Sequence, residues 1–113
     1  GATGYLHWGF NQWFSDNDPY KETTTMNTES GNTLPGGDSW IVYPDNGKLY
    51  SSIRLEAMRD GIADYTLLKM LEKKDPELAK ELCRLTVFHW TLYDTDGDHF
   101  RKTRKQILEA LSK

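Results

Sequence analysis

Three tryptophans and two tyrosines, Trp8, Trp13, Trp40, Tyr5 and Tyr43, cluster with Asn11, Gln12, Asp16 and Asp38 in the first half of the chain. That mixture suits a polyhydroxylated ligand. A pyranose ring offers an apolar C–H face that stacks on indole, and its hydroxyls call for planar amides and carboxylates, which exchange hydrogen bonds in both directions. The competing reading is that these aromatics are core, and for any single one of them it carries more weight, since aromatic side chains dominate burial generally. Trp13, beside Asn11 and just past an apolar run, is the foremost candidate for a ligand contact, because barrels carry their chemistry where strands end.

Other constellations are weaker. Arg54, Glu56, Arg59, Asp60 and Asp64 form the densest charge cluster, and their spacing places pairs on adjoining faces of a helix. Paired carboxylates invite an acid–base role, yet helix-surface ion pairs or ties to a neighbouring element explain the pattern more simply. Asp94-Thr95-Asp96-Gly97-Asp98 begins like a calcium loop, but the sixth position is His99, not glycine, and the twelfth is Lys105, not glutamate. An acidic turn capping the last helix fits better. His7, His89 and His99 have no metal-type spacing, and the first two are expected as satisfied core histidines, His7 in a strand and His89 on a helix face. The Pro35-Gly36-Gly37-Asp38 run is a turn, too short to cradle a phosphate, and there is no nucleophile elbow. No cofactor and no metal are expected.

Composition narrows the classes further. The chain has a mildly acidic formal charge of −3, and its lysines and arginines, mostly beyond residue 53, alternate with Glu and Asp on helical patterns. Such a face is solvated and does not track phosphates, so neither nucleic acid nor membrane is an expected partner. Cys83 is the single cysteine, which rules out an internal disulfide; it is expected to pack as a small apolar residue. No apolar run approaches the roughly 20 residues of a membrane helix, and the N-terminus lacks the basic and apolar stretches of a signal peptide. Gly1 to Thr3 read as a cloning remnant or linker.

The elements that must position the aromatics change character near Ser51. Before it, the pattern predicts short strands near 5–10 and 39–43, the second closed by Pro44 and the Asp45-Asn46-Gly47 turn signal. Between them residues 15–38 carry turn and loop chemistry, and a loop of that length is a site loop or an insertion. After it, apolar spacing predicts helices near 52–73, 76–93 and 99–112. Ser51 or Ser52 caps the first; Asp75 caps the second with Pro76 at its first position; and Leu78, Leu82, Leu85 and His89 share its inner face. Two strands and three helices make no closed sheet, and aromatic strand edges left open suggest that partner strands lie outside the chain.

Three motifs, Gly4-Tyr5-Leu6-His7-Trp8-Gly9-Phe10-Asn11-Gln12-Trp13, Gly37-Asp38-Ser39-Trp40-Ile41-Val42-Tyr43-Pro44 and Ser52-Ile53-Arg54-Leu55-Glu56-Ala57-Met58-Arg59-Asp60-Gly61-Ile62-Ala63-Asp64-Tyr65, occur in that order. Together they resemble the C-terminal domain of unknown function 4091, found at the end of glycoside hydrolase family 123 and related proteins, over roughly residues 4 to 70. The resemblance implies an α/β fold: the last two strand–helix units of a (β/α) barrel, helix-rich overall, spanning residues 4–113. It also implies an extracytoplasmic location, and an activity that hydrolyses N-acetylgalactosaminides with the substrate's own acetamido oxygen as nucleophile, oriented by an adjacent Asp-Glu pair. No Asp-Glu dipeptide occurs in the chain, so that pair is expected outside it. The resemblance then leaves carbohydrate and the remainder of the barrel as partners, Trp8, Asn11, Trp13, Asp38, Trp40 and Tyr43 as substrate contacts, and Arg59-Asp60-Gly61 with Asp64-Tyr65 as architectural. A stand-alone carbohydrate-binding module and a purely structural helical domain are the alternatives.

Overall fold

The computed structural model describes residues 3–12, 18–22 and 34–113. Its elements run β1 (Val42–Asp45), β2 (Lys48–Ser51), α1 (Ile53–Lys74), α2 (Pro76–Thr86), β3 (Val87–His89), β4 (Leu92–Tyr93) and α3 (Gly97–Ser112). The fold is mixed α/β and helix-rich, with two small antiparallel strand pairs and three helices. It divides into two compact units, residues 1–58 and 59–113, with α1 passing from the first into the second.

In the first unit, β1 and β2 form a hairpin in which Tyr43 faces Tyr50 and Asp45 faces Lys48. Asn46 and Gly47 both have positive φ, 46° and 79°, as a two-residue type I′ connection demands, and Asn-Gly is the sequence that adopts it most readily. The turn signal therefore does more than end a strand: it folds the chain straight back. Pro44 lies inside β1 and does not close it, which a two-stranded hairpin tolerates because each strand is an edge.

The strand expected near 5–10 does not form. Residues 3–9 enter no ladder, and only Asn11 makes an isolated antiparallel bridge with Trp40, where Gln12 N donates to Ser39 O at 2.9 Å and Ile41 N to Phe10 O at 2.9 Å. Strand propensity needs a partner backbone, and Leu6, 91% exposed, finds none within the described residues. The second strand is displaced toward Asp45 for the complementary reason: its partner is β2.

Helix α1 is joined to this hairpin through its cap. The Ser52 hydroxyl accepts from Arg54 N (3.1 Å) and Leu55 N (3.2 Å) and donates to Ile41 O (2.5 Å), which uses both its acceptor sites and its one proton. Two residues on, Arg54 Nε donates to Trp40 O at 2.8 Å and Nη2 to the Tyr43 hydroxyl at 2.5 Å. That guanidinium lies against Gly37, where an added Cβ would fall 2.6 Å from Arg54 Cζ, and Gly37 has φ +74°. Asp38 N donates to Pro35 O at 3.0 Å, so Gly37 occupies the position of a type II turn that requires positive φ.

The second unit is built on Leu71, Ala79, Leu82 and Ile107, with Leu67, Leu68, Leu78, Ala110 and Leu111 packed against them. Asp75 caps α2 by accepting from Leu78 N, and Pro76 takes the first position. The helix expected over 76–93 ends at Thr86. Val87-Phe88, following Thr86, favour extended backbone, and the chain forms the β3–β4 hairpin over residues 87–93. Leu85 is consequently half exposed, and His89 is exposed on β3 beside Thr91, not on a helix face. The Asp94–Asp98 run caps α3: Asp96 Oδ1 accepts from Asp98 N and His99 N, and Asp94 Oδ1 accepts from Asp96 N. At the other end of α3, Lys74 Nζ donates to Ala110 O at 3.1 Å, a carbonyl the helix itself leaves without a partner.

Gly37→Ala should lower the unfolding free energy by about 1–2 kcal/mol, the cost of holding a Cβ-bearing residue at positive φ, and more if Arg54 must move. Ser52→Ala should cost about 1 kcal/mol as a lost cap. Urea unfolding of both variants checks these values, and a wild-type midpoint for Gly37→Ala would mean that the close approach to Arg54 is not formed. Backbone hydrogen bonds, followed for Asp94 by the bond to His99, hold the carboxyls of Asp94 and Asp96 below the usual range. Their contribution is present above the unfolded carboxylate pKa and disappears as pH falls through the lower folded value. Thermal unfolding followed by circular dichroism from pH 7 to pH 2 should therefore show a steeper acid loss in wild type than in Asp96→Asn, which keeps a capping oxygen but does not titrate.

Candidate functional site

The sequence places Trp8 and Asp38 thirty residues apart; the fold of the first unit brings them into contact. Trp8 Nε1 donates to Asp38 Oδ2 at 2.8 Å, and His7 Nε2 lies 3.8 Å from Asp38 Oδ1. Gly9, between them and the bridge, is buried against Ser39 so closely that an added Cβ would sit 3.2 Å from Ser39 Cα. Glycine here lets residues 7–12 approach the 37–40 turn, which presents Asp38. The Trp8 side remains 55% exposed, so the indole is anchored by its N–H while part of its surface stays open.

The other candidate residues divide by environment. Trp40 is 1% exposed, buried like Ile41 and Val42 after it; it presents no face to solvent, and its Nε1 has no hydrogen-bond partner among the described residues. Tyr43 is partly buried, its hydroxyl taken by Arg54 and its ring 5.4 Å from that of Tyr20, whose hydroxyl donates to Pro44 O. Asn11 is exposed and is held through the backbone bridge to Trp40. Trp13 and Asp16 lie outside the described residues. Thus Trp8 and Asp38 meet directly, Asn11 is fixed near Trp40, and Trp40 and Tyr43 support the turn through Arg54.

Two residues gain roles that their sequence positions did not announce. His7, expected within a strand, instead accepts a bond from Gly9 N at Nδ1 (3.2 Å) and faces Asp38. The His-x-Gly spacing is the only signal that could have suggested this. Arg54, read as one charge in a surface cluster, is the tie between α1 and the Trp40 carbonyl.

The carboxylates of α1 take no comparable arrangement. Arg59 and Asp60 make a surface contact of 3.5 Å. In the second unit, Asp64 borders an apolar cavity of about 230 Å³ with Tyr65, Leu82, Cys83, Phe100 and Ile107. Arg104 Nε stands 2.9 Å from Asp64 Oδ1, but its geometry makes no hydrogen bond, and neither carboxylate oxygen has a donor among the described residues. Burial pushes the Asp64 carboxyl above its ordinary value, with Arg104 opposing and Asp60 adding to the rise. A tie between helices fits this placement better than an acid–base pair.

The sequence model of the glycoside hydrolase 123 catalytic domain matches residues 1–71, well over half of the chain, and the chain belongs to that family. No curated protein matches it. The match takes in the whole Trp8–Asp38 arrangement, the β1–β2 hairpin and nearly all of α1.

Asp38→Ala should shift the Trp8 indole N–H resonance strongly, through loss of a charge-assisted bond, while the signal of buried Trp40 moves little. A proton–nitrogen correlation spectrum reads both, and an unmoved Trp8 signal would refute the contact.

Proposed function

We propose that the chain is the C-terminal, substrate-binding portion of a glycoside hydrolase (β/α) barrel acting on N-acetylhexosamine-containing glycans outside the cytoplasm. Its Asp-Glu catalytic pair lies in a part of the protein beyond this sequence. The observation that carries the reading is the half-exposed Trp8 indole held by Asp38 within the segment matched by the family. A fixed aromatic surface beside a carboxylate is what a sugar ring requires. Asn11 is a further candidate contact, as is Trp13 by its place in the sequence, and Trp40 and Tyr43 hold the turn that carries Asp38.

The barrel reading is supported by the extent of apolar surface left open. Tyr5, Leu6 and Ile53 in the first unit are all more than two-thirds exposed, as is Trp90 in the second. Soluble domains seldom leave so many large apolar side chains uncovered, and strands and helices of the remaining barrel would cover them. The (β/α)-barrel geometry is what the resemblance of the three motifs to the domain of unknown function 4091 implies. One observation favours a second reading, a non-catalytic carbohydrate-binding or structural module: residues from Arg59 onward have a buried cluster of their own around Leu71.

Titration with N-acetylgalactosamine, followed by tryptophan fluorescence and amide shifts, should give saturable changes at Trp8 that Trp8→Ala weakens by about 1 kcal/mol, roughly fivefold. The chain alone should release nothing from an aryl N-acetylgalactosaminide. Turnover by this chain would overturn the placement of the catalytic pair, and a folded chain that ignores amino sugars would overturn the binding role.

A further inference from the structure

His7 and Asp38 together carry more than the Trp8 contact needs. The Nδ1 atom of His7 accepts the Gly9 backbone N–H at 3.2 Å. A ring nitrogen that accepts has no proton, so the neutral imidazole carries its proton on Nε2. That Nε2–H stands 3.8 Å from Asp38 Oδ1, beyond hydrogen-bond distance, and is therefore not consumed by the carboxylate. Asp38 is meanwhile fixed from its other side, because Oδ2 takes the Trp8 indole proton at 2.8 Å. Oδ1 accepts from no other described residue. A donor and an acceptor thus stand side by side, each side chain held by one hydrogen bond, with side chains 16% and 31% exposed, next to an aromatic surface.

We infer that His7 is a specificity-determining residue of this site, pairing with Asp38 to recognise two adjacent hydroxyls of a sugar ring. One hydroxyl donates to Asp38 Oδ1, and the neighbouring oxygen accepts the His7 Nε2 proton. The alternatives use less of the arrangement. A cation would meet only the carboxylate, an anion would be repelled by it, and an isolated hydroxyl would engage one member of the pair. A vicinal diol on a ring that stacks against Trp8 engages both, and the donor–acceptor order selects against ligands in which either hydroxyl is missing. The inference rests on the carbohydrate reading above.

The test is calorimetric titration of the full 113-residue chain with N-acetylgalactosamine and its 3-deoxy and 4-deoxy analogues, in wild type, His7→Phe and His7→Gln. Phenylalanine keeps a flat ring without the N–H; glutamine restores a donor. Wild type should bind the parent sugar about tenfold more tightly than a deoxy analogue. His7→Phe should lose about the same factor for the parent and should no longer distinguish it from one of the two analogues, and His7→Gln should recover part of both. Discrimination that persists undiminished in His7→Phe overturns the role of His7 while leaving sugar binding intact. Wild type that binds none of the three sugars overturns the carbohydrate reading and this inference together. Nitrogen-15 shifts of the His7 ring give a second readout that needs no variant: protonation at Nδ1 in place of Nε2 would also overturn the pairing.

Discussion

The Arg54 guanidinium is the group around which the first unit is organised. It reaches back from the first turn of α1 to the Trp40 carbonyl and the Tyr43 hydroxyl, so one side chain links a helix, a strand and the turn between residues 35 and 40. Room for it exists only because Gly37 has no Cβ, and the same glycine supplies the positive φ that turns the chain before Asp38. Ser52 works in parallel: its hydroxyl caps α1 and simultaneously bonds Ile41 O, fixing the helix start against the segment that presents the site. Arg54 suits this place because its planar fork donates in two directions at once, which a lysine ammonium on a flexible stem would do less rigidly.

The second unit rests on ordinary hydrophobic burial, and its ends are set by aspartates. Asp75 and Asp96 each accept backbone N–H groups that the following helix leaves unpaired, and Asp94 steadies the approach to the last helix. The repeated device explains why an acidic run that superficially resembles a cation loop stands where it does. Its oxygens are turned toward the backbone amides of residues 96, 98 and 99.

Membership in the glycoside hydrolase 123 catalytic domain family rests on the segment that contains both the Trp8–Asp38 contact and the Arg54 tie. The scaffold and the candidate ligand contacts are therefore parts of one arrangement. Moving the turn moves Asp38, and with it the group that fixes the indole. A site built this way gains orientation from its supports, as recognition of a ring with many similar hydroxyls requires.

The sequence by itself determined what is local. Asn46-Gly47 specified a turn because both residues tolerate positive φ; Asp75-Pro76 specified a helix start because Asp75 accepts the Leu78 amide and Pro76 has no N–H to leave unpaired; and the spacing of Leu78 and Leu82 marked a face that becomes core. The three motifs carried the family. What only the tertiary structure decided is everything that depends on a partner far along the chain. Residues 5–10 have the propensity of a strand but find no ladder, and the stretch after Thr86 can read as helix until the hairpin pairing of Val87 with Tyr93 is made. The aromatic residues look alike in sequence, yet Trp40 is buried and Trp8 is half open, because burial depends on which surfaces meet and not on residue type. The pairing of His7 with Asp38 belongs to the same class: neither residue signals the other until the Gly37 turn and the Asn11–Trp40 bridge bring their backbones together.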